Sequence, residues 1–128
     1  MSLAAGPGRG GGTAAVPSST GAKLYVDQHV KYIQTLNTRK DEYAYWLTEH
    51  LRLNGLYWGL TACHLLGHPD ALPREEVIEF VISCLHDSGG FGAAPGHDEH
   101  MLYTVSAVQI LATLDGWDLL EEIGRAHV

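Results

Sequence analysis

His97, Asp98 and His100 place two imidazoles and a carboxylate within one turn of chain, the donor types that a divalent metal takes. Zinc on a helix is ordinarily held by imidazoles at i and i+4 and completed from another segment. Here the histidines stand three apart, so the trio is expected to form a loop-to-helix junction rather than a metal site, with Asp98 or Glu99 opening the helix. Cys63-His64 and Cys84-x-His86 could be joined on paper into four ligands. Both cysteines fall inside apolar helical patterns, however, where a free thiol behaves as a small buried hydrophobe. The run Gly89-Gly90-Phe91-Gly92-Ala93-Ala94-Pro95-Gly96 has no Lys-Ser/Thr after it and no strand before it, so it is not a phosphate loop. It reads as a structural turn, with Pro95 and Gly96 at the reversal and Phe91 plugging beneath it. No ordering of Ser, His and Asp, or of Cys, His and Asn, stands apart from a repeat or capping explanation. Trp58 lies among Gly55, Gly59 and Ala62, small residues that let a second helix or a ligand approach the backbone. It reads equally as a ligand-facing aromatic and as an ordinary core residue, and Tyr103 shares the ambiguity, its hydroxyl needing a partner if enclosed.

These residues must be positioned by helices. Leu24, Val26, Val30, Ile33 and Leu36 form an apolar stripe at mostly three- and four-residue steps, which predicts a helix ending near Asn37. A second helix is expected over 41–51, with Tyr43, Trp46, Leu47, His50 and Leu51 on one face and Asp41 and Glu42 at the positive end of its dipole. Asn54 reads as the cap of a third helix that Gly67 stops. Pro73 opens a fourth, whose broad apolar face runs from Val77 to Leu85 before Gly89 and Gly90 end it. A fifth, from 98 or 99 to 114, is so apolar that it belongs inside a bundle. Setting Tyr57 on Tyr103 also sets Leu60 on Ser106 and Leu65 on Leu111, while Tyr32, Ile33 and Leu36 recur as Phe80, Val81 and Cys84 at nearly the same spacing. That is a helical-hairpin repeat, present about twice. Hairpins of this kind bury their apolar faces on neighbours, so the chain is expected to be part of something larger.

Composition sets the bounds. A length of 128 residues, 45% of them apolar, gives room for one small all-α domain. The net charge of -7 speaks against nucleic acid and against an anionic membrane surface. Two widely spaced cysteines are no disulfide scaffold, and a reducing, cytoplasmic setting is the simpler reading. No run is long and apolar enough for a transmembrane segment. Residues 1–22, rich in Gly, Ala, Ser and Pro, are expected to be a disordered lead-in. The tail 123–128 continues no earlier pattern and, read back into codons, resembles the start of a sequencing adapter, so it is expected to be non-native.

From Leu24 to about Leu119 the chain closely resembles the β subunits of Rab geranylgeranyltransferases, the type II protein prenyltransferases. The resemblance rests on Glu49-His50-Leu51-Arg52-Leu53-Asn54-Gly55-Leu56-Tyr57-Trp58-Gly59-Leu60-Thr61 and on Gly96-His97-Asp98-Glu99-His100-Met101-Leu102-Tyr103-Thr104-Val105-Ser106-Ala107-Val108-Gln109. Shorter stretches, Lys40-Asp41-Glu42-Tyr43 and Arg74-Glu75-Glu76-Val77, add to it. It implies an α/α toroid of helical hairpins, of which residues 23–122 would be the first, partial arc of about two. In that family the ring encloses geranylgeranyl diphosphate. Zinc there activates a Rab cysteine as thiolate, which attacks the first lipid carbon as diphosphate leaves. The implied partners are a prenyltransferase α subunit and a Rab GTPase with its escort protein. By the family pattern Trp58 maps onto the floor of the lipid pocket, with Asn54 and Val105 on its wall, although Asn54 replaces the smaller residue often seen there. The Asp-x-Cys pair and later His of the zinc site, and the Arg, Lys and Tyr that hold diphosphate, have no counterparts in residues 1–128. The resemblance therefore assigns no catalytic or metal-binding residue here, and these residues alone are expected to be inactive. The competing readings are a non-catalytic helical-repeat interaction module and another toroid enzyme, a farnesyl-type transferase or a terpene cyclase.

Overall fold

Leu53, Leu60, Val81, Ile110 and Leu111 are shut off from water, and the helices that carry them define the architecture. The computed structural model describes residues 23–36 and 38–118. Among the described residues the elements are α1 (Val26–Leu36), α2 (Tyr43–Leu47), a 3-10 turn (Glu49–Leu51), α3 (Arg52–Leu65), α4 (Arg74–Ser83) and α5 (Met101–Thr113), with no strand. The lead-in at 1–22 and the tail at 123–128 lie outside the described residues.

α3 and α5 lie side by side and run in the same direction. Tyr103 donates its hydroxyl proton to the His50 carbonyl near their starts, and Asn54 meets Ser106 about a turn further in. α4 returns antiparallel behind them. At its start Arg74 donates to the Leu114 and Asp115 carbonyls beyond α5, at 3.0 and 3.3 Å. At its end the Cys84 carbonyl accepts from the Gly92 amide at 2.9 Å. The first hairpin closes where Ile33 of α1 approaches Gly59 of α3, and a β-carbon at Gly59 would stand 3.2 Å from it. The result is an all-α arc of two hairpins, α1 with α3 and α4 with α5, as the repeat predicts. The common core takes one face of α3, α4 and α5 and is plugged from the loop end by Phe91. Burying each large apolar side chain stabilises such a core by about 1.5–3 kcal/mol.

Several sequence expectations are corrected. The second helix does not run through 41–51 but breaks at Thr48. There the hydroxyl turns back to the Ala44 carbonyl at 2.9 Å, while the Arg52 guanidinium takes the Tyr45 carbonyl at 2.6 Å. Side chains that claim the last carbonyls compete with continuation of the helix. The residues read as one face of that helix are not enclosed, since Tyr43, Trp46, Leu47 and Leu51 are all exposed. Asn54 is no cap: α3 already begins at Arg52, and the Leu53 amide finds its acceptor in the Ala93 carbonyl at 2.9 Å. Helix α4 ends at Ser83, before the glycines, because Leu85 pairs with Phe91 and the His86 amide bonds the Gly90 carbonyl at 2.8 Å. The cap of α5 is His100, whose Nδ1 accepts from the Leu102 amide at 3.1 Å, rather than Asp98 or Glu99. Gly67 does stop α3, with φ of 79° in the left-handed region.

Candidate functional site

On α3, Asn54 and Trp58 sit at i and i+4, so they share a face. Asn54 is half-buried and points at α5, where its Nδ2 donates to Ser106 Oγ at 3.2 Å. Trp58 stands 61% exposed, its ring 5.0 Å from that of Tyr57. Among the described residues nothing encloses this tryptophan. Val105 precedes Ser106 and is 47% exposed. Leu102, one turn before Ser106, is 44% exposed and falls between Ser106 and Val105 on the helical wheel. The structure therefore brings Asn54 and Ser106 together and leaves Trp58, Leu102 and Val105 each exposed on the two helices that carry them. Sequence reasoning missed Ser106 and Leu102 as part of this surface. Ser106 was legible as the repeat partner of Leu60, a polar residue at a core position.

At the N-terminal ends of α3 and α5 the glycine turn builds a polar cleft of about 400 Å³, lined by His50, Gly96, His97, Asp98 and Tyr103. His97 Nε2 lies 3.1 Å from Glu49 Oε1, fastening the turn to the start of α3. A β-carbon at Gly92 would collide with the His97 carbonyl oxygen, so the turn closes this tightly only with glycine there. On the other side of the turn His86 Nδ1 lies 3.1 Å from Glu99 Oε2. Hydrogen bonds from its own backbone and from Ser88, together with the His86 charge, hold the Glu99 carboxyl below its ordinary range.

The histidines of the tempting metal trio are thus engaged, His97 with Glu49 and His100 as a helix cap. Among the described residues no group of three His, Cys, Asp or Glu side chains could hold a metal. The zinc implied by the resemblance does not fit these side chains. Cys63 and Cys84 are core residues, as their helical positions suggested. Burial raises the Cys63 thiol and pushes that of Cys84 up to about 11, with a Ser83 hydrogen bond and the Arg52 charge pulling the latter back.

A larger apolar cavity, about 640 Å³, opens on a different flank of α3, between α1 and α4. Ile33, Leu36, Gly55, Leu56, Leu72 and Phe80 are among its walls, and none of Asn54, Trp58 and Val105 touches it. Trp58 thus does not line this cavity and stays exposed among the described residues.

The sequence is similar to that of known proteins. Residues 24–128 match the model of the prenyltransferase alpha-alpha toroid domain. The geranylgeranyl transferase type-2 subunit beta of Saccharomyces cerevisiae is 55% identical over 98 residues, which cover 76% of this chain and 30% of that protein. Subunit beta 1 of the corresponding Arabidopsis thaliana enzyme is 47% identical over 95 residues, 74% of this chain and 30% of the relative. A protein farnesyltransferase subunit beta from Arabidopsis thaliana is 37% identical over 70 residues, 54% of this chain and 14% of that protein. The chain spans about 30% of the length of the type-2 relatives it matches. With a helical-hairpin arc described and the toroid model covering nearly every residue after the lead-in, the chain belongs to the prenyltransferase α/α toroid family.

Proposed function

We propose that this chain is the first arc of the catalytic β subunit of a type II protein geranylgeranyltransferase, and that the exposed face of α3 and α5 is its share of the lipid-pocket wall. The whole protein would transfer geranylgeranyl from geranylgeranyl diphosphate to C-terminal cysteines of Rab GTPases presented by an escort protein, paired with an α subunit in the cytoplasm. One observation carries the reading: Trp58, Leu102 and Val105 are apolar and exposed on the two parallel helices α3 and α5 of a toroid arc. A soluble domain rarely leaves such side chains together in water without an occupant for them. An isoprenoid is a fitting one, since it is apolar along its length and would remove their area from water at about 25 cal/mol per Å². The greater similarity to type-2 than to farnesyl-type β subunits supports the longer lipid.

In this reading Trp58 floors the pocket, Asn54 and Val105 wall it, and the glycine turn holds the starts of α3 and α5 in register. Zinc, when bound, would lower the pKa of the acceptor thiol. Its ligands and the diphosphate-binding residues belong to parts of the ring that these residues do not include, and the 128 residues alone would show no turnover.

Titrating a fluorescent isoprenoid diphosphate analogue into the complete β subunit with its α subunit tests the proposal. Saturable binding that weakens on Trp58→Ala is expected. Binding unaffected by the substitution refutes the assigned wall, and no binding at all leaves the chain a protein-interaction module.

A further inference from the structure

Ser106 is the polar residue fully enclosed among the described side chains, 1% exposed on the helix that also carries the buried Ala107, Ile110 and Leu111. Its hydroxyl has two tasks. It donates to the Leu102 carbonyl one turn back at 2.8 Å, which leaves its lone pairs to accept from Asn54 Nδ2 at 3.2 Å. The donor and acceptor roles are consistent throughout, so the amide of Asn54 is tied sideways onto α5 rather than left to rotate over the α3 face that also carries Trp58.

We propose that Ser106 is a positioning residue for lipid-length selection. By anchoring the Asn54 amide against α5, it keeps a polar group out of the space that the far end of a long isoprenoid would occupy beside Trp58. The inference rests on the assignment of Asn54 and Trp58 to the pocket. Its physical basis is that an amide donor without a partner disfavours apolar neighbours. With Ser106 replaced by alanine, a methyl group that accepts no hydrogen bond faces the Asn54 amide, which must then take its partner from water at the exposed face. A lipid that covers this face must then strip that water without replacing its hydrogen bond, whereas a shorter lipid that stops before Asn54 need not. A hydroxyl buried at a helix contact costs free energy unless it is hydrogen-bonded, and at this leucine position of the repeat the two bonds of the serine go to Leu102 and Asn54.

The test uses the complete β subunit carrying these residues, purified with its α subunit, and measures Kd for geranylgeranyl and farnesyl diphosphates. Ser106→Ala is expected to weaken geranylgeranyl diphosphate about tenfold, the scale of one unsatisfied polar group, and to leave farnesyl diphosphate within about twofold. In an Asn54→Ala background the same serine substitution is expected to change neither, because the group it positions is gone. An equal change for both diphosphates, no change for either, or an effect that persists without Asn54 overturns the inference. Failure of the unsubstituted protein to bind either diphosphate refutes instead the pocket assignment on which it stands.

Discussion

Replacing Trp58 with alanine separates an aromatic kept for a ligand from one kept for the core, because the two roles leave opposite signatures. The residue is 61% exposed, so most of its surface lies outside the packing of α3. A tryptophan carries roughly 250 Å² of surface. The exposed share is then about 150 Å², and an isoprenoid that covers about half of this buries about 75 Å² against the ring. At 25 cal/mol per Å² the lost contact is about 2 kcal/mol, or a roughly 25-fold rise in Kd. The share already buried in the arc, about 100 Å², is worth at most about 2.5 kcal/mol at the same rate, so ligand-free stability should fall by no more than that. The assay pairs titration of a fluorescent isoprenoid diphosphate analogue with thermal unfolding of the same complete complex. A change in Kd below threefold refutes the ligand-facing role. So does a loss of about 3–5 kcal/mol in stability, the mark of an aromatic removed from a core.

The converse holds at Leu60, which is fully buried on the same helix: Leu60→Ala should cost about 2–5 kcal/mol in chemical denaturation, and a loss below about 1 kcal/mol would show that the core is misplaced. Gly92→Ala drives a methyl into the His97 carbonyl and should destabilise by about 1–3 kcal/mol, whereas Gly55→Ala meets nothing within 4 Å and should be neutral or stabilising by up to about 1 kcal/mol; the reverse order in denaturant midpoints contradicts the turn geometry. Cys84, with its thiol pushed up to about 11, should resist iodoacetamide in the folded protein at pH 8, and labelling as fast as a free thiol by mass spectrometry would show it accessible. Glu99 has a folded pKa below its ordinary value of 4.5, so its contribution to holding the glycine turn is present above that value and is lost as pH falls through the lower one. A carboxyl carbon-13 titration in which Glu99 titrates at or above 4.5 would remove that contribution.

Periodicity made most of the fold legible. The helices around Leu60, Val81 and Ile110 have enough apolar residues at helical spacing that burial on one face follows, and each of these residues is indeed enclosed. Segment 41–51 was misread for a reason that spacing does not carry. Its aromatic stripe is real, but Thr48 and Arg52 take its carbonyls and its face has nothing to cover it. Helix starts were misplaced in the same way. Asn54 and Asp98 are favoured caps by residue type, yet α3 takes the Ala93 carbonyl from a loop distant in sequence and α5 takes an imidazole. Capping preference is a local tendency, and tertiary donors and acceptors override it.

The site divides along a similar line. Neither the exposure of Trp58 nor that of Val105 follows from periodicity, because both lie on helices whose composition would suit full burial. What separates them from Leu60 and Ile110 is the arc itself. Two hairpins bury one side of α3 and α5 on α4 and leave the other side open, and a helix apolar all round then carries both a core and a wall. The repeat comparison contains the missing clue, since Leu60 and Ser106 occupy equivalent places and are equally enclosed. A buried leucine needs only to be surrounded, but a buried hydroxyl needs partners, and Ser106 finds them in its own helix and in Asn54 across the contact. The residue that breaks the apolar repeat is thus the one that joins the core to the candidate pocket.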